Sequence, residues 1–167
     1  MKIILHDLNQ QEFTAWQLNK DADTIIISDN GTIRHCIGCF GCWIKTPGVC
    51  VLKDGYSNMG ELLSQCDELI IISQCVYGSY SPFIRNVWDR SIPYLLPYFI
   101  TKNAETHHKS RYQNTFLLSV HFYGDNITQE ERETATALVE ANGVNFYSTG
   151  NTAYFYDSLH AVQEVLK

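Results

Sequence analysis

The chain has 167 residues, 45% of them hydrophobic, and 12 Lys and Arg against 18 Asp and Glu give it a formal charge of −6. It is too apolar for a disordered segment, and its acidic balance excludes a protein that grips nucleic-acid backbones with clustered cations. No apolar stretch approaches the roughly 20 residues of a membrane span, and the first apolar run meets His6 and Asp7 too early for a signal peptide, so a cytoplasmic protein with no membrane partner is expected.

In chain order, an apolar run at 2–5 predicts a strand, and Phe13, Trp16 and Leu18 put a helical stripe on 10–20. The β-branched run 24–28 predicts a second strand. Residues 59–67 read as a helix, with Met59, Leu62, Leu63 and Cys66 on one face. The run Leu69-Ile70-Ile71-Ile72 is the strongest strand signal, because continuous apolar runs suit parallel strands covered on both faces. A helix over 81–95 is capped by Ser81 with Pro82 at its first position, and Phe83, Ile84, Val87, Trp88 and Ser91 face inward. A strand follows at 115–120. Thr128 to Glu131 forms a capping box opening a helix through Ala135, Leu138 and Val139, which Asn142-Gly143 ends. A fifth strand at 144–148 and a last helix carrying Leu159, Val162 and Leu166 complete the reading.

Five strands alternating with helices predict one domain over 1–167. It is a flavodoxin-like three-layer α/β/α sandwich with a five-stranded parallel sheet in the order 2-1-3-4-5. Ligands in such sheets bind outside the strand carboxyl ends, which directs attention to the loops 6–14, 30–54, 74–81 and 121–128. There is no G-x-x-x-x-G-K-[ST], G-x-G-x-x-G, H-E-x-x-H or G-x-S-x-G, which argues against the common ATPases, Rossmann dehydrogenases, zincins and serine hydrolases.

One of these loops holds four of the six cysteines, Cys36, Cys39, Cys42 and Cys50. In a reducing compartment such a cluster points away from disulfides. Three readings stand side by side: a 4Fe-4S cluster on all four thiolates, small apolar packing in a Gly-rich loop, or a reversible dithiol at Cys36 and Cys39. His107 and His108, beside Lys109 and Arg111, read as a solvated loop. Asp89 with Arg90 reads as a structural ion pair.

The run from Cys36 to Cys50 with Trp43, Lys45, Pro47 and Gly48, followed by Lys53-Asp54, resembles the loop of flavodoxin-fold NAD(P)H-dependent FMN reductases and of iron–sulfur flavoproteins. The stretch 73–90 is similar to the same family's S-P-V-Y-x-G-x-x-S-x-x-L-K-x-x-x-D-R. Ser73, Gly78, Ser81, Ile84, Arg85, Asp89 and Arg90 are in register with it. The resemblance spans most of residues 36–150. It implies an FMN-binding oxidoreductase that takes electrons from NAD(P)H and passes them to a small acceptor. Such a protein needs no protein acid–base pair, because the flavin carries the chemistry.

The positions matching the cofactor loops are Asn9, Gln10, Gln74, Cys75, Val76, Tyr77, Gly78, His121, Phe122, Tyr123 and Gly124. Tyr77 or Tyr80 is expected to border the ring, and Gly78 is expected to open onto it, so that Gly78→Leu leaves the fold intact but blocks flavin. The resemblance also implies a homodimer, with the aromatic segment 94–99 at its interface. The sequence departs from the family at three places. The first loop lacks Gly, Ser and Arg and carries Asp7 and Glu12, Gln74 replaces a proline, and His121 to Gly124 replaces a Gly-Gly pair. Carboxylates facing the phosphate predict weakened FMN binding. Two alternatives follow from the same residues: an iron–sulfur electron carrier, and a cofactor-free member acting as a binding or thiol module.

Overall fold

Buried β-branched runs set the frame of the molecule. In the computed structural model, which describes residues 1–16 and 22–167, β1 (Lys2–His6), β2 (Thr24–Ser28), β3 (Glu68–Gln74), β6 (Leu117–Tyr123) and β7 (Gly150–Tyr156) form one parallel sheet. Its order is β2-β1-β3-β6-β7, which is 2-1-3-4-5 when only these five strands are counted. Ile70, Ile71 and Ile72 of β3 are buried at the sheet centre, as a strand covered on both faces requires.

Alternation along the strands builds two cores. Ile3, Leu5, Leu69, Ile71, Val120 and Phe122 pack against α3 (Met59–Ser64), α4 (Pro82–Arg90) and α5 (Gln129–Phe146). Ile4, Ile70 and Ile72 pack against Phe13 of α1 (Gln10–Thr14) and Val162 of α6 (Leu159–Leu166). Each such buried aliphatic side chain contributes on the order of 1.5–3 kcal/mol over its exposed state. Residues 17–20 of the helix expected over 10–20, Leu18 among them, lie outside the described residues.

Three sequence expectations are corrected. The helix over 81–95 ends at Arg90, and a 3-10 turn, Ile92–Tyr94, follows with Pro93 inside it. Pro93 has no N–H to continue an α-helix. The chain then enters a two-stranded antiparallel hairpin, β4 (Leu95–Lys102) and β5 (Glu105–Ser110), where a loop was expected. Lastly, α5 runs through Asn142-Gly143 to Phe146, and its left-handed C-cap is Tyr147. The fifth parallel strand is therefore Gly150–Tyr156 rather than 144–148. Gly143 is a packing residue, not a stop, since a Cβ there would lie 1.9 Å from Asn151 Oδ1.

Candidate functional site

Two features lie on the loops that the sheet topology singles out. The first is the crevice at the carboxyl ends of β1, β3 and β6. Asp7, the residue after β1, turns inward: its carboxylate accepts the Gln74 N–H at 2.8 Å and the Tyr123 hydroxyl at 3.0 Å. One side chain thus ties together all three strand ends. Burial pushes the Asp7 carboxyl above its ordinary pKa against the pull of these donors, and the Tyr123 phenol is raised by burial and by Asp7 beside it.

The loop after β3 is a tight turn. Val76 and Ser79 exchange backbone hydrogen bonds, and Tyr77 and Gly78 both have positive φ, 52° and 70°, as a type I′ turn requires. Tyr77 stands out, 89% exposed as a residue, whereas Tyr80 is buried and accepts a hydrogen bond from Asn142 Nδ2. Gly78 does not open onto a ring slot. A Cβ there would lie 2.8 Å from Thr134 Cβ and 3.0 Å from the Glu131 carbonyl oxygen on α5. A leucine at Gly78 must displace the helix, which corrects the expectation of an intact fold. Cys75 is half-buried, its N–H donating to the Tyr123 carbonyl, and the Gly124 N–H donates to the Tyr156 carbonyl.

His121 and Phe122 lie in β6, below the crevice. Phe122 is fully buried beside Tyr80 and stacks on Phe155. His121 stacks on Tyr154 and Tyr156 and shares a 3.0 Å hydrogen bond with the Tyr156 hydroxyl, and burial lowers its pKa to about 4. On the first loop, Asn9 caps α1. Its Oδ1 accepts the Glu12 N–H at 2.9 Å, and Glu12 Oε2 accepts the Asn9 N–H at 3.2 Å. Gln10 is exposed on the first turn of that five-residue helix.

The second feature is the cysteine loop. All six cysteines are free, and Cys36, Cys39, Cys42 and Cys50 line one cavity of about 330 Å3. Among the described residues, no three His, Cys, Asp or Glu side chains are placed to hold a metal ion, so the four thiols do not converge as a cluster site. What organises the loop is Arg90. Its buried guanidinium grips the Asp54 carboxylate through two bonds of 2.7 and 2.8 Å, and it also donates to the Arg34 and Leu52 carbonyls and to Cys50 Sγ. Arg90 beside it holds the Asp54 carboxyl down to about 2. Thus the buried ion pair of Arg90 is with Asp54, across sequence, rather than with its neighbour Asp89. The signal was present as opposite charges closing the two motifs.

On the far side of the loop, α2 (Gly41–Ile44) docks on the hairpin. Trp43 Nε1 donates to the Leu95 carbonyl at 3.0 Å, and the rings of Phe40, Trp43, His108 and Phe99 follow one another at 5.6, 4.9 and 4.7 Å. His107 and His108 are therefore half-buried β5 residues, bonded to Asn145 and to the Leu96 carbonyl.

No protein-family model matches the chain, and no curated protein sequence does. Solved structures do match. An NADPH-quinone reductase from P. pentosaceus is 17% identical with a TM-score of 0.53, over 99% of this chain and 91% of that one. An azoreductase from Bacillus anthracis is 8% identical with a TM-score of 0.53, over 93% and 85%. General stress protein 14 from Treponema denticola, solved in complex with FMN, is 12% identical with a TM-score of 0.52, over 99% and 90%. The chain shares their flavodoxin-like fold. At these identities the likeness establishes fold alone, and this flavodoxin-like chain must be judged for FMN on its own residues. At the ring end, the turn after β3 presents one exposed tyrosine, Tyr77, beside the strand ends. The phosphate end does not fit FMN. The N–H groups of Asn9, Glu12 and Gln74 are already bonded to side-chain oxygens, and Asp7 and Glu12 put negative charge beside them.

Proposed function

We propose that the protein is an NAD(P)H-dependent, FMN-binding oxidoreductase acting on a small acceptor, with flavin held loosely through its ring. The observation that carries this reading is the reach of Asp7. A single carboxylate bonds the last residues of both β3 and β6, which supports a binding crevice at the switch point of a flavodoxin-like sheet, with Asn9, Gln10, Gln74, Cys75, Val76, Tyr77, Tyr123 and Gly124 as its proposed border. His121 and Phe122 support that crevice from below. Within it, Tyr77 is the side chain that can cover an aromatic ring, and the Asp7–Tyr123 contact sets the floor. Exposed Tyr98, Phe99 and Ile100 on β4 support a homodimer through the hairpin. The reading also places the chain in the cytoplasm. Among the described residues, no helix is long and apolar enough to cross a membrane.

A second reading, a cofactor-free thiol module, is favoured by the occupied phosphate end. FMN titration with flavin fluorescence as readout separates the two. Saturable quenching, FMN-dependent NAD(P)H oxidation and binding about fivefold tighter in Asp7→Asn, as loss of one nearby charge of order 1 kcal/mol implies, support the oxidoreductase. Absence of saturation in both proteins overturns it in favour of the module.

A further inference from the structure

The flavin reading leaves the cavity under the cysteine loop without a task. At about 330 Å3 it falls within the range of small-ligand pockets, and Ile37, Phe40, Trp43, Leu52, Ile92 and Pro93 give it apolar walls. Its one cation offers nothing to an anionic ligand. Every N–H of Arg90 is already bonded, to Asp54, to two carbonyls and to Cys50, and the Asp54 carboxylate balances its charge. Asp89 also lines the cavity and disfavours anions further. The occupant this selects is small, uncharged and apolar, and it meets four thiols on entering.

The thiols are not equivalent. Cys50 Sγ accepts the Arg90 Nε–H at 3.2 Å, which sets its direction against a fully buried side chain. Cys36 and Cys39 are exposed, and neither sulfur has a hydrogen-bond donor among the described residues. Burial and the neighbouring thiols push the Cys42 thiol up, so it stays protonated and is the weaker nucleophile. We propose that this cavity is a site for planar, uncharged α,β-unsaturated carbonyl compounds of quinone size, with Cys50 as the attacking thiol. The proposal is independent of whether flavin binds.

In the reaction, the Cys50 sulfur forms a C–S bond to a quinone ring carbon, and the C=C π pair shifts to a carbonyl oxygen. The thiol proton goes to one oxygen and the proton of the attacked carbon to the other. The product is a hydroquinone thioether. Sulfur's electron pair has reduced the ring, and no outside oxidant takes part.

Peptide mass spectrometry after brief exposure of the full chain to equimolar p-benzoquinone tests the proposal. Cys50 should be modified first, roughly tenfold faster than Cys36 or Cys39, as docking favours a fixed thiol over a merely exposed one. Excess 1,4-dimethoxybenzene, a flat analogue with no electrophilic carbon, should slow Cys50 selectively. Iodoacetate, being charged, should reverse the order. Cys50→Ser, whose hydroxyl still accepts from Arg90, should lose the fast phase, and Cys39→Ser should keep it. Modification led by Cys36 and Cys39 with both reagents overturns the proposal, as does a competitor without effect. Stoichiometric iron on protein purified without oxygen, with all four thiols unreactive, overturns it too.

Discussion

Two buried titratable groups at the strand ends pull on stability in opposite directions. His121 has its pKa lowered from 6.5 to about 4 because its ring is desolvated between Tyr154 and Tyr156. As pH falls below 6.5, the unfolded chain gains a proton that the folded ring refuses until about pH 4. Its contribution is therefore complete above 6.5 and is lost on acidification through that window, with a slope of at most about 1.4 kcal/mol per pH unit. Asp7, raised above 3.8, has the reverse sign: the folded state binds its proton more tightly, so stability falls as pH rises through its titration. His121→Phe keeps the aromatic stacking, gives up the hydrogen bond with the Tyr156 hydroxyl at every pH, and removes the first effect. The wild-type urea midpoint minus that of the variant should fall steadily as pH is lowered from 6.5 toward 4, with the Asp7 slope common to both. Parallel lines across that range would assign the acid sensitivity elsewhere.

Among the elements, the hairpin shows what a sequence pattern conceals. Asn103 and Ala104 at its tip have φ of 53° and 66°, the two left-handed residues of a type I′ turn. Asn-Gly would have announced that turn, but Asn-Ala does not, and His107-His108-Lys109 looks like solvated chain until Trp43 and Phe99 close around His108. The left-handed conformation costs an alanine about 1–2 kcal/mol, and glycine's added unfolded-state entropy offsets part of the relief. Ala104→Gly should therefore stabilise the protein by about 0.5–1 kcal/mol in chemical denaturation. A loss of stability would show that the hairpin tip turns differently. The first three parallel strands were legible because their apolar runs have one use, burial in the sheet, whereas the edge strand Gly150–Tyr156 carries no such run and was expected too early. Asn142-Gly143 misled for the opposite reason, since Gly143 answers a tertiary demand, the close approach of Asn151. The candidate site was legible as a set of loops, but the inward turn of Asp7 depends on donors from Gln74 and Tyr123, far away in sequence.

Over the whole molecule, the sheet and the cysteine loop have separate foundations. The sheet rests on two apolar cores, whereas residues 30–54 are short of regular structure and depend on one buried ion pair, Arg90 with Asp54. Asp54 also accepts the backbone N–H groups of Arg34 and Tyr56, so one carboxylate ties the loop at two points to the end of α4. Removing a single partner from such a pair leaves the other charge buried and uncompensated, at a cost of about 3 kcal/mol or more. Asp54→Asn keeps the shape and an acceptor but removes the charge, so Arg90 loses its counter-ion while the packing stays. The cost should fall locally. In hydrogen exchange, amides of residues 30–54 should lose protection by a large factor, while those of β1, β3 and β6 stay slow wherever exchange proceeds by local opening. Cys50 should then lose its fixed direction and react no faster than Cys39. Uniform acceleration across the sheet would mean that the ion pair supports the fold as a whole. Unchanged protection in the loop would mean that Arg90 is neutralised by another group, and that the cavity beneath the cysteines is held open by packing alone.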